Sequence, residues 1–248
     1  MVEPDCPFAS WDDAILLNFS KWNGINPYVC PMSDANEVAR TIARHLLNIR
    51  AIRLQADHPF TWASGWKSPV YCDNRVSLSY PEIRSFISHE LASSIEKNFD
   101  KPDLIAGVAT AAIAQGALVA DRMKLPFVYV RSSPKDHGRQ NLIEGEAKPG
   151  QKTVVIEDLV STGQSSLKAV EALRAAGCEV LGLVSVFSYG FEQAKSNFKQ
   201  ANCPVLSLCD YQVMLEEAVA SKYIRQDEVT LLEEWRKTPE TWGKQTVK

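Results

Sequence analysis

From Asp34 onward the apolar positions Val38, Ile42, Leu46 and Ile49 recur three or four residues apart, the spacing of one helix face. Glu37, three residues after Asp34, makes a variant of the capping box at its start. A second helix is predicted from "SYPE" at 79–82, read as another capping box, with Pro81 early in the helix and Ile83, Phe86, Ile87, Leu91 and Ile95 facing inward. Between the two, "PFTWASGWKSPVYCDNR" (59–75) breaks the period with glycine, proline and aromatic residues. The pattern then changes to short apolar runs alternating with helical stretches. "DLIAGVA" (103–109) reads as a buried strand followed by a helix to about Met123, and "FVYVR" (127–131) as a strand. "TVVIED" (153–158) is a strand leading to a helix from about Ser165 to Ala176, closed by Gly177. "VLGLVSVF" (180–187) is a strand followed by a helix from about Phe191, and "PVLSL" (204–208) is a fifth strand. Short strands separated by helices predict a parallel sheet covered on both faces. Two short helices finish the chain, the last from Asp227 to Arg236. Residues 1–32, with Trp11, Trp22 and several prolines, lack such a period and read as an N-terminal extension.

Composition narrows the class without choosing a function. A chain of 248 residues, 45% hydrophobic and 23% charged, suits one large globular domain or one domain with appendages. The net charge of −3 gives no broad nucleic-acid footprint. The six cysteines include no C-x-x-C pair, which reads as reduced thiols in a cytoplasmic protein. The N-terminus has no basic region followed by an apolar one, so no signal peptide is expected. The longest bland stretch, "LIAGVATAAIAQGALVA" (104–120), is interrupted by Thr110 and Gln115 and falls short of the ~20 residues of a membrane span. No membrane partner is expected.

The chemistry concentrates at "TVVIEDLVSTGQSS" (153–166), an apolar strand that ends in two adjacent carboxylates. Ligands bind beyond the carboxyl ends of the strands in open parallel sheets. Glu157 and Asp158 lie at such an end, and Leu159 to Ser165 form a loop feeding a helix. The first amides of a helix lack internal partners and carry partial positive charge, which favours a phosphate. Gly163 permits close backbone approach, while Ser161, Thr162, Ser165 and Ser166 offer hydroxyls. The pattern is not a Walker A loop. Acids beside a phosphate cradle suit a sugar phosphate, and could stabilise an oxocarbenium-like ring during substitution at C1. A solvated acid pair before an ordinary helix start is the alternative.

Two further stretches accompany it. "RSSPKDHGRQNLIEGEAKPG" (131–150) is about 20 residues of loop composition, a length that is usually functional or disordered. Arg131, Lys135, His137 and Arg139 make it a cationic lid suited to a polyphosphate leaving group, or else a solvated surface loop. "GVATAAIAQG" (107–116) is a turn of very small residues that could present amides to a second anion, or allow close helix–sheet packing.

Together the three stretches resemble the type I phosphoribosyltransferases. "VVIEDLVSTGQSS" is similar to their signature for 5-phosphoribosyl 1-pyrophosphate (PRPP), and "FTWASGWKSPVYCDNR" and "VRSSPKDHGRQNLIEG" resemble the orotate phosphoribosyltransferase family. The resemblance covers roughly residues 34–210. It implies an α/β fold with a mainly parallel central sheet flanked by helices and a small N-terminal hood. The organisation would be an extension (1–32) and one domain (33–248), with the hood at about 33–80, the core at about 81–210 and C-terminal helices at 211–248. The implied activity is Mg²⁺-dependent transfer of phosphoribosyl from PRPP to orotate, giving orotidine 5'-phosphate and pyrophosphate in UMP synthesis. Lys135, His137 and Asp158 would be catalytic. Arg131, Lys135, His137, Glu157, Asp158, Leu159, Val160, Ser161, Thr162, Gly163, Gln164 and Ser165 would bind PRPP. Ser161, Tyr71 and Cys72 would meet orotate. Mg²⁺ would be held mainly through PRPP, with no protein ligand named. The family further implies a homodimer in which Lys135 and His137 reach the neighbouring subunit's site.

The sequence departs from the better-known branch of that family at Ala63, where a lysine is usual, at Thr110-Ala111 in place of Tyr-Lys, and at Gln164 in place of a frequent glycine. An orotate-contacting arginine of that branch has no counterpart near "VFSYGFEQA". Two rival functions share the PRPP loop: transfer to another base, and a non-catalytic PRPP-sensing regulator. The base loop speaks against the first. The cationic lid and a segment 1–32 unlike a helix-turn-helix speak against the second.

Overall fold

The computed structural model describes residues 33–55, 58–62, 64–133 and 142–243. The extension expected at 1–32 lies outside the described residues. Helix α1 (Ser33–Asn48) already includes Asp34, and it buries Ile42 and Leu46 while Val38 and Ile49 pack at the edge of the core. Then come β1 (Ile52–Leu54), β2 (Phe60–Thr61), β3 (Lys67–Ser68) and β4 (Val70–Cys72), a 3-10 turn at Asn74–Ser79, and α2 (Pro81–Asn98). β1 pairs antiparallel with β4, and β2 with β3, so the stretch at 59–75 forms a small hood. The expected capping box at 79–82 does not form. Ser79 ends the 3-10 turn, and α2 starts from Tyr80, whose side chain makes no cap bond. Pro81 does take the first turn, where its missing N–H costs nothing.

The core follows as β5 (Leu104–Val108), α3 (Ala112–Met123), β6 (Phe127–Val130), β7 (Ile143–Glu144), β8 (Lys152–Val160), α4 (Gln164–Ala175), β9 (Glu179–Ser188), α5 (Glu192–Gln200) and β10 (Val205–Asp210). Helices α6 (Tyr211–Ala220) and α7 (Val229–Lys237) come last. The sheet order is β10-β9-β8-β5-β6-β7, parallel except for β7 at the edge. Every residue of β5 and β10 is buried, the near-continuous apolar run that a doubly covered parallel strand requires. Strand order runs outward in opposite directions from β5 and from β8. Right-handed crossovers therefore put α3 on one face and α4 and α5 on the other. The reversal between β5 and β8 is a topological switch point, where such sheets bind ligands.

Two expectations change here. β8 continues two residues past 158, because Leu159 and Val160 pair with Phe187 and Ser188 of β9. The stretch at 131–150 is not all loop, since Ile143 and Glu144 pair with Val130 and Tyr129. The small turn at 107–116 serves close packing: a Cβ on Gly107 would lie 2.8 Å from the Ala112 carbonyl oxygen, and one on Gly116 2.7 Å from the Phe127 ring. The stretch at 104–120 is a strand and a helix, and among the described residues no helix is long and apolar enough to cross a membrane.

Candidate active site

Glu157 and Asp158 stand near the carboxyl end of β8, beside the switch point. Adjacent positions on a strand face opposite ways, so the two acids meet different surroundings. Glu157 turns inward and is only 4% exposed. One of its oxygens accepts Ser166 Oγ at 2.7 Å and the other accepts the Asp158 amide at 3.1 Å. Ser166, expected among the phosphate-facing hydroxyls, is thus committed to Glu157 and is itself buried. Burial, with the Asp158 charge next to it, pushes the Glu157 carboxyl well above the ordinary carboxylate range. Burial also raises Asp158, but hydrogen bonds and the Arg75 charge work against it. Two adjacent acids do not readily ionise together; the more deeply buried Glu157 keeps its proton to higher pH and leaves the charge on Asp158.

The loop after β8 is shorter than the sequence suggested. Gln164 and Ser165 belong to α4, which leaves Ser161, Thr162 and Gly163 as the turn. Gly163 has φ +78° and occupies the N-cap without any side-chain cap bond, so the first amides of α4 are free of side-chain caps. A Cβ there would lie 2.6 Å from the Phe198 ring of α5. Asn197, also on α5, donates to the Thr162 carbonyl at 2.9 Å. The turn is therefore held from below by α5 while its amides stay open. Neither Asn197 nor Phe198 was singled out from sequence, because a helix two elements away carries no local mark of what it supports.

The hood brings its own residues to the same corner. Asn74 donates from Nδ2 to the Asp158 carbonyl at 2.6 Å and accepts the Cys72 thiol at 3.3 Å. Cys72 is thereby tied through Asn74 to the acid pair, and burial, with Asp158 and Asp73 near it, keeps its thiol protonated. Tyr71 packs with Phe60 at 5.5 Å between ring centres, under the Arg53 guanidinium at 4.6 Å. Arg75 pairs with Asp73 through two hydrogen bonds of 2.7 and 2.8 Å. At the β6 end, Arg131 is half-buried and faces Glu144 at 3.4 Å. Lys135 and His137 lie outside the described residues, as does Ala63. The structure thus gathers Asp158, the 161–163 turn, Cys72 and Asn74 at one corner, with Arg131 at the end of β6, two strands away across β5.

A doubly wound sheet with an acid pair at its switch point and an open helix start after it defines a sugar-phosphate transferase of the phosphoribosyl type. Consistent with this, residues 79–213 match the phosphoribosyl transferase domain family. The orotate phosphoribosyltransferase of Porphyromonas gingivalis is 60% identical over 206 residues, 83% of this chain and 98% of that one. Among solved structures, the orotate phosphoribosyltransferase of Aeropyrum pernix aligns at a TM-score of 0.64 with 28% identity, covering 71% of this chain and 97% of that one. The Leishmania donovani UMP synthase aligns at 0.68 with 28% identity over 80% of this chain and 42% of its own length. The chain belongs to the orotate phosphoribosyltransferase family.

Proposed function

We propose that the protein transfers the 5-phosphoribosyl group of PRPP to a ring nitrogen of orotate, giving orotidine 5'-phosphate and pyrophosphate for pyrimidine synthesis. The observation that carries this reading is the corner at the end of β8, where the Asp158 carbonyl accepts Asn74 of the hood, itself bonded by Cys72 of β4, a few residues before the uncapped start of α4. The amides of the 161–165 segment are suited to the 5-phosphate. The ribose hydroxyls fall to Asp158, with Glu157 behind it fixing the strand end through Ser166. As the C1–O bond to pyrophosphate breaks and the C1–N bond to the base forms, positive charge develops on the sugar ring. The Asp158 carboxylate is the fixed negative group on hand to stabilise it.

Arg131, Lys135 and His137 would meet the pyrophosphate oxygens, with Arg131 giving up Glu144 as it does so. Asp158, which keeps the charge of the pair, offers carboxylate oxygens of the kind Mg²⁺ takes beside substrate phosphates. Among the described residues no cluster of three or more His, Cys, Asp or Glu side chains is placed to hold an ion by itself. In this reading Mg²⁺ would arrive on PRPP and supply charge neutralisation for the leaving pyrophosphate. The base would enter beside Cys72, Tyr71 and Ser161. The reading includes a homodimer that shares its lid and works in the cytoplasm, the latter in keeping with the free thiols at Cys72, Cys178, Cys203 and Cys209 among the described residues.

The test is the fall in orotate absorbance on adding purified protein. Turnover should require PRPP and Mg²⁺ together. Turnover of another base without any of orotate would remove the assignment while sparing the fold.

A further inference from the structure

Gln115 interrupts the bland stretch at 104–120, and glutamine is usually an exposed residue. Here it is 4% exposed, on the buried face of α3 beside Ala112, Gly116 and Val119. Neither its Nε2 nor its Oε1 has a hydrogen-bond partner, and among the described residues these are the only buried side-chain nitrogen or oxygen atoms in that condition. A buried amide without partners costs stability, and an apolar side chain of the same shape would remove the cost. Packing therefore gives no reason for a glutamine at this position.

The place of Gln115 in α3 suggests one. The helix starts just after β5 ends, beside the switch point, and lies close on that strand: a Cβ on Gly116 would come 3.3 Å from the Gly107 Cα. Helix side chains lean toward the turn on their N-terminal side, which directs Gln115 over Ala111 and Ala112. The opening amides of a helix need partners from outside it. The Ile113 amide finds the Thr110 carbonyl at 3.3 Å. Ala111, the N-cap, makes no side-chain cap bond, and Ala112 is fully buried. Water can accept from a backbone amide while donating to the Gln115 Oε1, and buried water typically serves such groups. The other turn beside the switch point, at 161–163, is held from its inner side by a direct bond, Asn197 to the Thr162 carbonyl.

We infer that Gln115 binds buried water and through it holds the 109–111 turn from its inner side, which makes Gln115 a positioning residue for the start of α3. The inference rests on the transfer reading above, in which PRPP lies across the switch point. The first test is a crystal structure of the free protein that shows ordered water. A water should lie about 3 Å from the Gln115 amide and from the Ala111 or Ala112 N–H. Finding no such water, or the amide seated directly on a protein group, would overturn the inference. The second test is Gln115→Met, which keeps the length and removes the hydrogen bonds. The Kd for PRPP with Mg²⁺, by titration calorimetry, should rise about fivefold, as expected for a lost hydrogen bond. The KM for orotate should stay within about twofold, less than one hydrogen bond is worth. The melting temperature should hold or rise, because a costly polar group has gone from the core. An unchanged Kd would overturn the positioning role. So would a lower melting temperature or a failure to fold, the mark of a packing role. A wild type that binds PRPP without turning over orotate removes the transfer reading and leaves the Kd comparison to decide. A wild type that binds no PRPP overturns both.

Discussion

A carboxyl that keeps its proton above the ordinary range is a statement about stability as well as chemistry. Glu157 is that group, and the sign follows from its direction. With its folded pKa raised by burial, the native state binds more protons than the unfolded chain between the two values. Its contribution is present in full below the unfolded carboxylate range and is lost as pH rises through the folded value. Glu157→Gln is uncharged at every pH and removes that slope. Urea denaturation across a pH series should show the wild type losing stability, relative to the variant, as pH climbs past the usual carboxylate range. Parallel pH profiles for the two proteins would mean that Glu157 ionises freely. The neighbouring Asp158 behaves differently because it is less buried and faces Arg75. The two acids at the end of β8 thus divide into a buried, proton-holding residue that shapes the strand and a more open one left to carry charge.

At the scale of elements, the turn after β8 depends on α5 as much as on its own residues. Gly163 combines a left-handed φ with a Cβ position occupied by Phe198, so Gly163→Ala meets both a conformational and a packing penalty. Together these should cost about 2–4 kcal/mol in denaturant unfolding. The KM for PRPP should rise with it, since the turn would shift. Adding Phe198→Leu should recover part of the stability by clearing the clash but leave the φ cost in place. No recovery at all would mean that the ring is not what limits the position. The same comparison shows what could be read in the sequence. The α3 and α4 boundaries lie within a residue or so of the expected ones because apolar spacing and Gly177 are local signals. The end of β8 was missed because Leu159 and Val160 are held in the strand by Phe187 and Ser188, a pairing across 28 residues that no window of sequence contains. Ser79 looked like a cap because its spacing to Glu82 is right, but the 3-10 turn before it had already used that position. Among site residues, the acids and the glycine announce themselves by type. Asn74 does not, since a polar residue in a loop has commoner roles, and only the folded geometry shows it bonded to Asp158.

For the whole molecule, the C-terminal helix ties its parts together. Trp235 on α7 is fully buried, and its indole bonds the Lys67 carbonyl of the hood, while Arg236 bonds the Tyr189 carbonyl at 3.1 Å. The hood is thereby fixed over the strand ends. The proposed dimer assigns closure of the site to Lys135 and His137 of the neighbouring subunit, and mixing two inactive variants tests it. Lys135→Ala lacks the lid cation, and Asp158→Asn, nearly isosteric, lacks the acid; each homodimer should lose about 10²-fold or more in rate. If the lid acts across the two-fold axis, a mixed dimer has one site that pairs an intact Asp158 with an intact Lys135, while its other site carries both lesions. Random exchange makes about half of the dimers mixed, so about a quarter of all sites should recover, given two equivalent sites per dimer. If each lid closes its own site, every site keeps one lesion and mixing restores nothing. Mass measurement of the exchanged dimers separates that result from a failure to exchange, and a protein that is monomeric at assay concentration would exclude the shared lid before any mixing is done.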